Sequence, residues 1–301
     1  MKNNLPKLIV VLGPTASGKT ELAIKLASKI KGEIVSADSR QIYRKMNIGT
    51  AKATKKEQEI IPHHLIDIRN PDRGFNVAVY KKLALKAIKK IHKKGKIPFL
   101  VGGTGLYIKS IVENMNFPRI RADKKLRESL ESKTEEELFK IYKKLDAEGV
   151  KFIDKKNKRR LIRAIEVSKI TKKPFWQQRK RGKPLFEFMI IGIKLPKEKL
   201  RKRIEKRVEK MFKLGLEKEV RTLVKKYSWL PILQTIGYIE WRDYFENKIK
   251  GNEIKEKIKL HTFQFAKRQL TWFERDNSIK WIKNQIEAEN LTKQFLSKNN
   301  S

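Results

Sequence analysis

The octapeptide GPTASGKT, residues 13–20, constrains the fold of this chain more than any other stretch. It matches G-x-x-x-x-G-K-[ST] and lies between an apolar run, LIVVLG, and an amphipathic one, KTELAIKLASKI. A strand before the loop and a helix after it make a phosphate cradle, because backbone N–H groups and the helix N-terminus converge on phosphate oxygens. Gly13, Pro14, Thr15, Ala16, Ser17 and Gly18 supply that backbone. Lys19 adds a mobile positive charge, and Thr20 a hydroxyl able to ligate Mg2+. The competing reading, a glycine turn without a ligand, fits this strand–loop–helix context poorly.

The strand–helix alternation continues. GEIVSAD reads as a strand, VAVYKKLALKAIKKIHKKG as a helix and KIPFLVGG as a third strand. Short apolar strands between amphipathic helices imply a parallel sheet covered on both faces. Over residues 116–185 charge-rich helical segments replace the strand signals, and FEFMIIGIKL (186–195) resumes them. One long basic helix is expected over 197–227, more helix up to Phe273, a last strand at 278–282 and a disordered tail from Ser297. The expected fold class is α/β. A P-loop NTPase-like core, with a parallel sheet flanked by helices, takes residues 1–115 and 186–301 and carries an all-helical insertion at 116–185.

No apolar run approaches the ~18 residues of a membrane span. MKNNLPKLIVVLG has no small-residue cleavage site and reads as a buried first strand, not a signal peptide. Cysteine is absent, which excludes disulfides, thiolate chemistry and Cys-based zinc sites. A cytoplasmic enzyme fits. The net charge of +40, from 73 Lys+Arg against 33 Asp+Glu, points to a polyanionic partner, nucleic acid first. With 54 lysines to 19 arginines, compositional drift accounts for part of this excess, so the arginines carry more weight. Residues 151–183 hold 14 Lys/Arg against only Asp154 and Glu166, with Phe152, Phe175 and Trp176 interleaved. Phosphate contacts with stacking aromatics suit RNA; a solvated charged helix is the alternative.

A switch or motor NTPase needs an acid at the end of another strand to hold Mg2+. The third strand ends in Gly102-Gly103-Thr104 instead, which favours a transferase that grips its leaving group in the loop. Asp38 ends the second strand, at the sheet edge where ligands of open α/β folds collect, and Ser39, Arg40 and Gln41 follow. Asp38 can take a proton from an acceptor or cap a helix, and both readings stay open. Gln41 can pair with an adenine edge. Thr104 can orient an acceptor or simply follow a tight glycine turn. His63 and His64 lack metal-ligand spacing and read as loop anchors. Arg203 and Arg207, four apart, offer a clamp on a diphosphate.

The order GPTASGKT, ADSRQIY, IGTAK, PHHLID, GGTGLY, RRLIRAIEV, RVEKMFKLGLEKEV and FAKRQLTWF resembles the tRNA dimethylallyltransferase family from about Leu8 to Phe273. The resemblance implies that dimethylallyl diphosphate is the donor and N6 of adenine 37, 3′ to the anticodon, the acceptor, in tRNAs reading codons that begin with U. It implies Asp38 as the base, Thr104 at the adenine, and Lys19, Thr20 with Mg2+ and Arg207 at the diphosphate. Arg127 matches a family arginine beside the substrate. The implied tRNA contacts map onto Asp38, Ser39, Arg40 and Gln41, and onto Arg159, Arg160, Leu161, Ile162 and Arg163 of the insertion. They continue at Gln234, Gly237, Tyr238, Lys267, Arg268, Gln269 and Trp272. One departure is visible: the family's P-N-x-x-R approach reads K-K-N-K-R-R here. The expected partners are the tRNA anticodon stem-loop and dimethylallyl diphosphate, with no membrane and a monomer by default. Three rivals remain: a small-molecule kinase, an adenylate isopentenyltransferase acting on free nucleotides, and a non-catalytic RNA-binding protein.

Overall fold

The β-branched and leucine runs form a sheet because its two covered faces take every side chain out of water. Leu8, Ile9, Val10 and Val11 are all fully buried, each contributing about 1.5–3 kcal/mol. The computed structural model describes residues 5–297 except Arg119 and Arg179, and all but the side chain of Asn252. Of the tail expected from Ser297, Ser297 itself closes the last helix, and the rest lies outside the described residues.

The chain forms two compact units, residues 1–112 with 185–301, and residues 113–184. The first begins with β1 (Lys7–Leu12), α1 (Lys19–Lys29), β2 (Glu33–Ser36), α2 (Lys55–Ile60) and β3 (His63–His64). α3 (Val77–Lys93), β4 (Pro98–Gly102) and α4 (Gly105–Val112) follow. The second unit holds α5 (Lys124–Glu131), α6 (Glu135–Leu145) and α7 (Lys158–Thr171). The first unit resumes with β5 (Glu187–Ile193), α8 (Lys197–Lys213), α9 (Leu216–Tyr227) and α10 (Trp241–Phe245). α11 (Gly251–Phe273), β6 (Ile279–Ile282) and α12 (Gln285–Ser297) complete it.

The sheet is wholly parallel, in the order β3-β2-β4-β1-β5-β6. α3 and α4 cover one face, where Tyr80, Ile88, Ile91, Ile108 and Ile111 are buried. α1 and α12 cover the other, with Leu26, Ala27 and Phe295. This is the expected P-loop NTPase-like core. A further apolar cluster links the turn at Ile42 and Met46 to α8, α9 and α11. In the second unit Leu130, Leu138, Tyr142, Leu161 and Ile165 close a small core of their own.

Two expectations change. The long basic helix is two helices, because the chain breaks at Leu214–Gly215, where Gly215 takes φ 86°. His63 and His64 form a two-residue edge strand paired with β2, too short to show periodicity. They also anchor: His63 Nδ1 lies 2.7 Å from the Ile61 carbonyl, and His64 Nε2 lies 2.8 Å from the buried Glu33 carboxylate.

Candidate active site

Because β2, β4 and β1 are neighbours in the sheet, the turns after their carboxyl ends meet on one edge. After β1 comes the glycine loop. Gly18 takes φ +92°, costly for any other residue, and Lys19 opens α1 with Nζ folded over the loop, 3.2 Å from the Pro14 carbonyl. The loop is braced from two helices that are distant in sequence. Gln269 on α11 accepts from the Thr15 N–H and donates to the Gly103 carbonyl, both at 2.8 Å. It thereby ties the turn after β1 to the turn after β4. A Cβ at Gly103 would lie 2.3 Å from Gln269 Nε2 and would push the amide off this brace. Arg203 on α8 donates to the Ser17 carbonyl at 2.7 Å.

Asp38 follows β2 in a turn, not at the head of a helix. Its Oδ1 accepts from the Arg40 N–H at 2.8 Å and the Gln41 N–H at 3.3 Å. Oδ2 has no hydrogen-bond partner among the described residues. One oxygen of the carboxylate therefore holds the turn, and the other is not used by it. Thr104 holds this turn: its Oγ1 accepts from the Ser39 N–H at 3.0 Å, and its N–H donates to the Ala37 carbonyl at 3.1 Å. Tyr80 donates to the Ser36 carbonyl and stacks on Tyr107 at 3.9 Å, fixing the end of β2 from beneath.

Between these turns lies a cavity of about 210 Å³. Its lining includes Lys19, Thr20, Arg207, Asp38 and Thr104, with Met211, Ile258 and Phe265 among the apolar members. Burial, with Arg207 nearby, lowers the Lys19 ammonium to about 8 against the opposing pull of Asp38. Burial likewise lowers Arg207, and Asp38 again opposes it. The cavity is thus a site of two partly desolvated cations near one carboxylate, which suits a small dianion with an apolar tail. Arg207 lines the cavity and Arg203 braces the loop, a division of labour that their equal spacing hid.

The loop at 47–52 is organised by a residue that carried no signal in the sequence. Glu219 on α9 accepts from the N–H groups of Asn47, Ile48 and Gly49 and from the Tyr238 hydroxyl. Nothing in the periodicity of α9 distinguishes this acid from Glu217. Lys52, also buried, donates to the Tyr43 carbonyl and to Asp67.

The remaining expected residues divide. Arg40 lines the cavity and donates from Nε to the Thr235 hydroxyl at 3.1 Å, while the Gln41 amide leans toward the carbonyls of Thr50 and Ala51. Gln234 is exposed, and Gly237 takes φ 89° at the cavity wall. Lys267, Arg268 and Trp272 lie on the exposed face of α11, with Trp272 over Gly105, whereas Gln269 points inward. Arg159 is exposed and Arg160 half-buried on α7. Four expectations need correction. Leu161 and Ile162 are buried in the helical unit, because the inward face of α7 carries that unit's core, so neither side chain is offered to a ligand. Tyr238 is fully buried, with its hydroxyl engaged by Glu219. Arg127 is engaged within its own unit: its Nε and Nη2 close on the buried Glu166 at 2.8 Å each, beside Arg163 on the same carboxylate. That ion-pair cluster holds α5 against α7.

Among the described residues no group of three His, Cys, Asp or Glu could hold a metal unaided. A Mg2+ ion would need oxygens of a bound diphosphate, and the Thr20 hydroxyl at the cavity edge is the side chain placed to share it. The donor set fits a metal that arrives with its substrate. No helix among the described residues is long and apolar enough to cross a membrane.

Comparison with known proteins agrees with this geometry. Residues 41–276 match the family model for IPP transferase. A tRNA dimethylallyltransferase of Carboxydothermus hydrogenoformans is 42% identical over 300 residues, covering 97% of this chain and 96% of that one. One from Caldicellulosiruptor saccharolyticus is 45% identical over 276 residues, 88% of each chain. The crystal structure of the full-length tRNA isopentenylpyrophosphate transferase from Bacillus halodurans superposes with TM-score 0.73 at 36% identity, covering 97% of both chains. A eukaryotic dimethylallyltransferase seen acting on tRNA superposes with TM-score 0.85 at 26% identity, over 97% of this chain and 80% of that one.

Proposed function

The chain belongs to the IPP transferase family, and from that premise we propose how its crevice works. It transfers the dimethylallyl group of dimethylallyl diphosphate to N6 of adenine 37 in tRNAs reading codons that begin with U. The observation that carries this reading is one cavity lined by Thr15, Lys19 and Thr20 of the phosphate loop, by Arg207 and by Asp38, whose Oδ1 alone is taken up by its own turn.

In the transfer the bond from the allylic carbon to the diphosphate oxygen breaks and the bond from that carbon to N6 forms. Negative charge grows on the departing diphosphate, so Lys19, Arg207 and the loop N–H groups bind it more strongly in the transition state than in the ground state. Mg2+, where bound, adds positive charge at the same oxygens, with Thr20 to hold it. The N6 amino group is a weak nucleophile, and Asp38 Oδ2 takes the proton that it loses. Thr104 keeps the Asp38 turn in place and offers its hydroxyl toward the adenine. Met211, Ile258 and Phe265 give the dimethylallyl group an apolar wall that excludes water from an allylic centre prone to hydrolysis. The adenine reaches the crevice by leaving its stack. Arg40, Gln234, Lys267, Arg268 and Trp272, all on the core unit, and Arg159 and Arg160 on the helical unit, supply contacts to the anticodon stem-loop. The acting unit is a monomer, and it works where tRNA is, in the cytoplasm.

The test uses purified protein, Mg2+, labelled dimethylallyl diphosphate and unmodified tRNA bearing A36-A37-A38, with AMP and ATP as controls. Label enters tRNA and not AMP. Label in AMP identifies a free-nucleotide enzyme, and consumption of ATP without prenyl transfer identifies a kinase.

A further inference from the structure

Within the helical unit, two large rings at the surface are held against each other. Phe152 is 51% and Trp176 37% exposed, and their rings stack at 4.0 Å with 10° between planes. Each belongs to a short 3₁₀ turn, Gly149–Phe152 and Trp176–Gln178. One buried carboxylate ties both turns together. Asp146, 3% exposed, accepts from the Gly149 N–H at 2.8 Å, the Trp176 N–H at 2.7 Å and the Tyr142 hydroxyl at 2.9 Å. Gly149 must be glycine, since a Cβ would lie 2.1 Å from the Tyr142 hydroxyl. Ser168 Oγ accepts from the Phe175 N–H at 3.1 Å, and the Gln178 amide donates to Thr171 Oγ1 at 2.7 Å.

With three donors on its carboxyl, Asp146 is satisfied, and the two turns hold the exposed rings in fixed register. The surroundings say what the rings suit. Of the nearby acids, Glu166 is buried and consumed by Arg127 and Arg163, and Glu148 pairs with Lys151 beside the Phe152 turn, which leaves exposed Asp154 against exposed Lys155, Lys156, Arg159, Lys172 and Lys173 in the same segment. An apolar protein partner would meet a field of positive charge here, whereas a nucleic acid is attracted by it. A planar ring backed by a second ring offers its free face to a base, since every base has a π-face.

We propose that the outer face of Phe152, backed by Trp176, is a stacking platform for one unpaired base of the tRNA. The proposal rests on the tRNA reading above and adds a contact that neither the phosphate loop nor the arginines of α7 provide. Asp146 is its positioning residue.

The test compares wild type with Phe152→Ala, Phe152→Leu and Phe152→Trp. The readouts are affinity for full-length unmodified tRNA by fluorescence anisotropy, and steady-state transfer kinetics. Phe152→Ala weakens tRNA binding by roughly 5- to 150-fold, the range of a lost base–aromatic stack. KM for tRNA rises in step, while kcat at saturating tRNA and KM for dimethylallyl diphosphate hold. Phe152→Trp keeps wild-type affinity, and Phe152→Leu, apolar but not aromatic, matches Ala. Wild-type affinity in Phe152→Ala overturns the platform, and so does a leucine variant as good as phenylalanine, which would mark an ordinary apolar contact. A wild-type protein that neither binds nor modifies tRNA overturns the functional reading first, and the platform with it.

Discussion

Raising the pH from 7 to 9 in a diphosphate-binding assay probes the crevice through Lys19. An ordinary lysine stays charged well beyond pH 9. Here burial and the neighbouring Arg207 bring the ammonium down to about 8, with Asp38 opposing. A bound diphosphate supplies the counter-charge that the empty crevice lacks, so the pKa in the complex lies higher and binding takes up a proton. The sign follows from linkage. Below pH 8 the free protein already carries the proton and affinity is flat in pH. Above pH 8 each further pH unit weakens binding about tenfold, until the pH reaches the pKa of the complex. Between pH 7 and 9 the Kd for dimethylallyl diphosphate therefore rises roughly tenfold, with uptake approaching one proton at pH 9. Titration calorimetry in two buffers of different ionisation enthalpy reads both quantities. Lys19→Met binds weakly with a profile that reports only the ligand's own ionisation, and Lys19→Arg stays charged throughout. A flat wild-type profile, or the same slope in Lys19→Met, refutes the assignment of Lys19 to the diphosphate.

Three further outcomes follow from the same geometry. Arg207→Ala removes a cation from the cavity and lowers kcat/KM for dimethylallyl diphosphate by about 10²–10³, while Arg203→Ala, which loses only the brace on the Ser17 carbonyl, costs nearer tenfold in steady-state kinetics. Glu219→Ala strands the Tyr238 hydroxyl and the N–H groups of residues 47–49, and lowers stability by about 2–4 kcal/mol in denaturant unfolding. Burial alone would raise the Glu33 carboxyl, but hydrogen bonds from His64, Lys94 and Lys96 hold it at about 2, below its unfolded value near 4.5. Its contribution is present above pH 4.5 and lost as pH falls toward 2. Acid titration of stability in Glu33→Gln lacks that component and starts about 1–3 kcal/mol lower at pH 7.

The core of this account was legible because it rests on local signals. A glycine loop between an apolar run and an amphipathic one reads as strand, cradle and helix, and the buried strands β1, β4 and β5 declare themselves by unbroken apolar stretches. What escaped reading depends on contacts across long sequence distances. Gln269 looked like one residue of a basic RNA-facing helix, and its brace between Thr15 and Gly103 appears only when α11 is laid against the sheet edge. The helical spacing let Leu161 turn inward, as it does, whereas Ile162 and Tyr238 sat inside motifs with functional neighbours, and burial follows the helix face and the local core rather than the motif. Arg203 and Arg207 share a spacing, and only their partners separate them. Gly215 ended a helix that charge and periodicity alone would carry through.

The central claim is that Asp38 gives one oxygen to its own turn and the other to the proton on N6. The direct measurement is the single-turnover rate of prenyl transfer to tRNA in wild type and Asp38→Asn, with the affinities for tRNA and dimethylallyl diphosphate measured alongside. The asparagine keeps a carbonyl oxygen for the Arg40 and Gln41 N–H groups but cannot take up the proton. The account predicts a rate lower by about 10²–10⁴ with both affinities within a few-fold of wild type. A variant that transfers at the wild-type rate, or one that fails only because tRNA no longer binds, contradicts it.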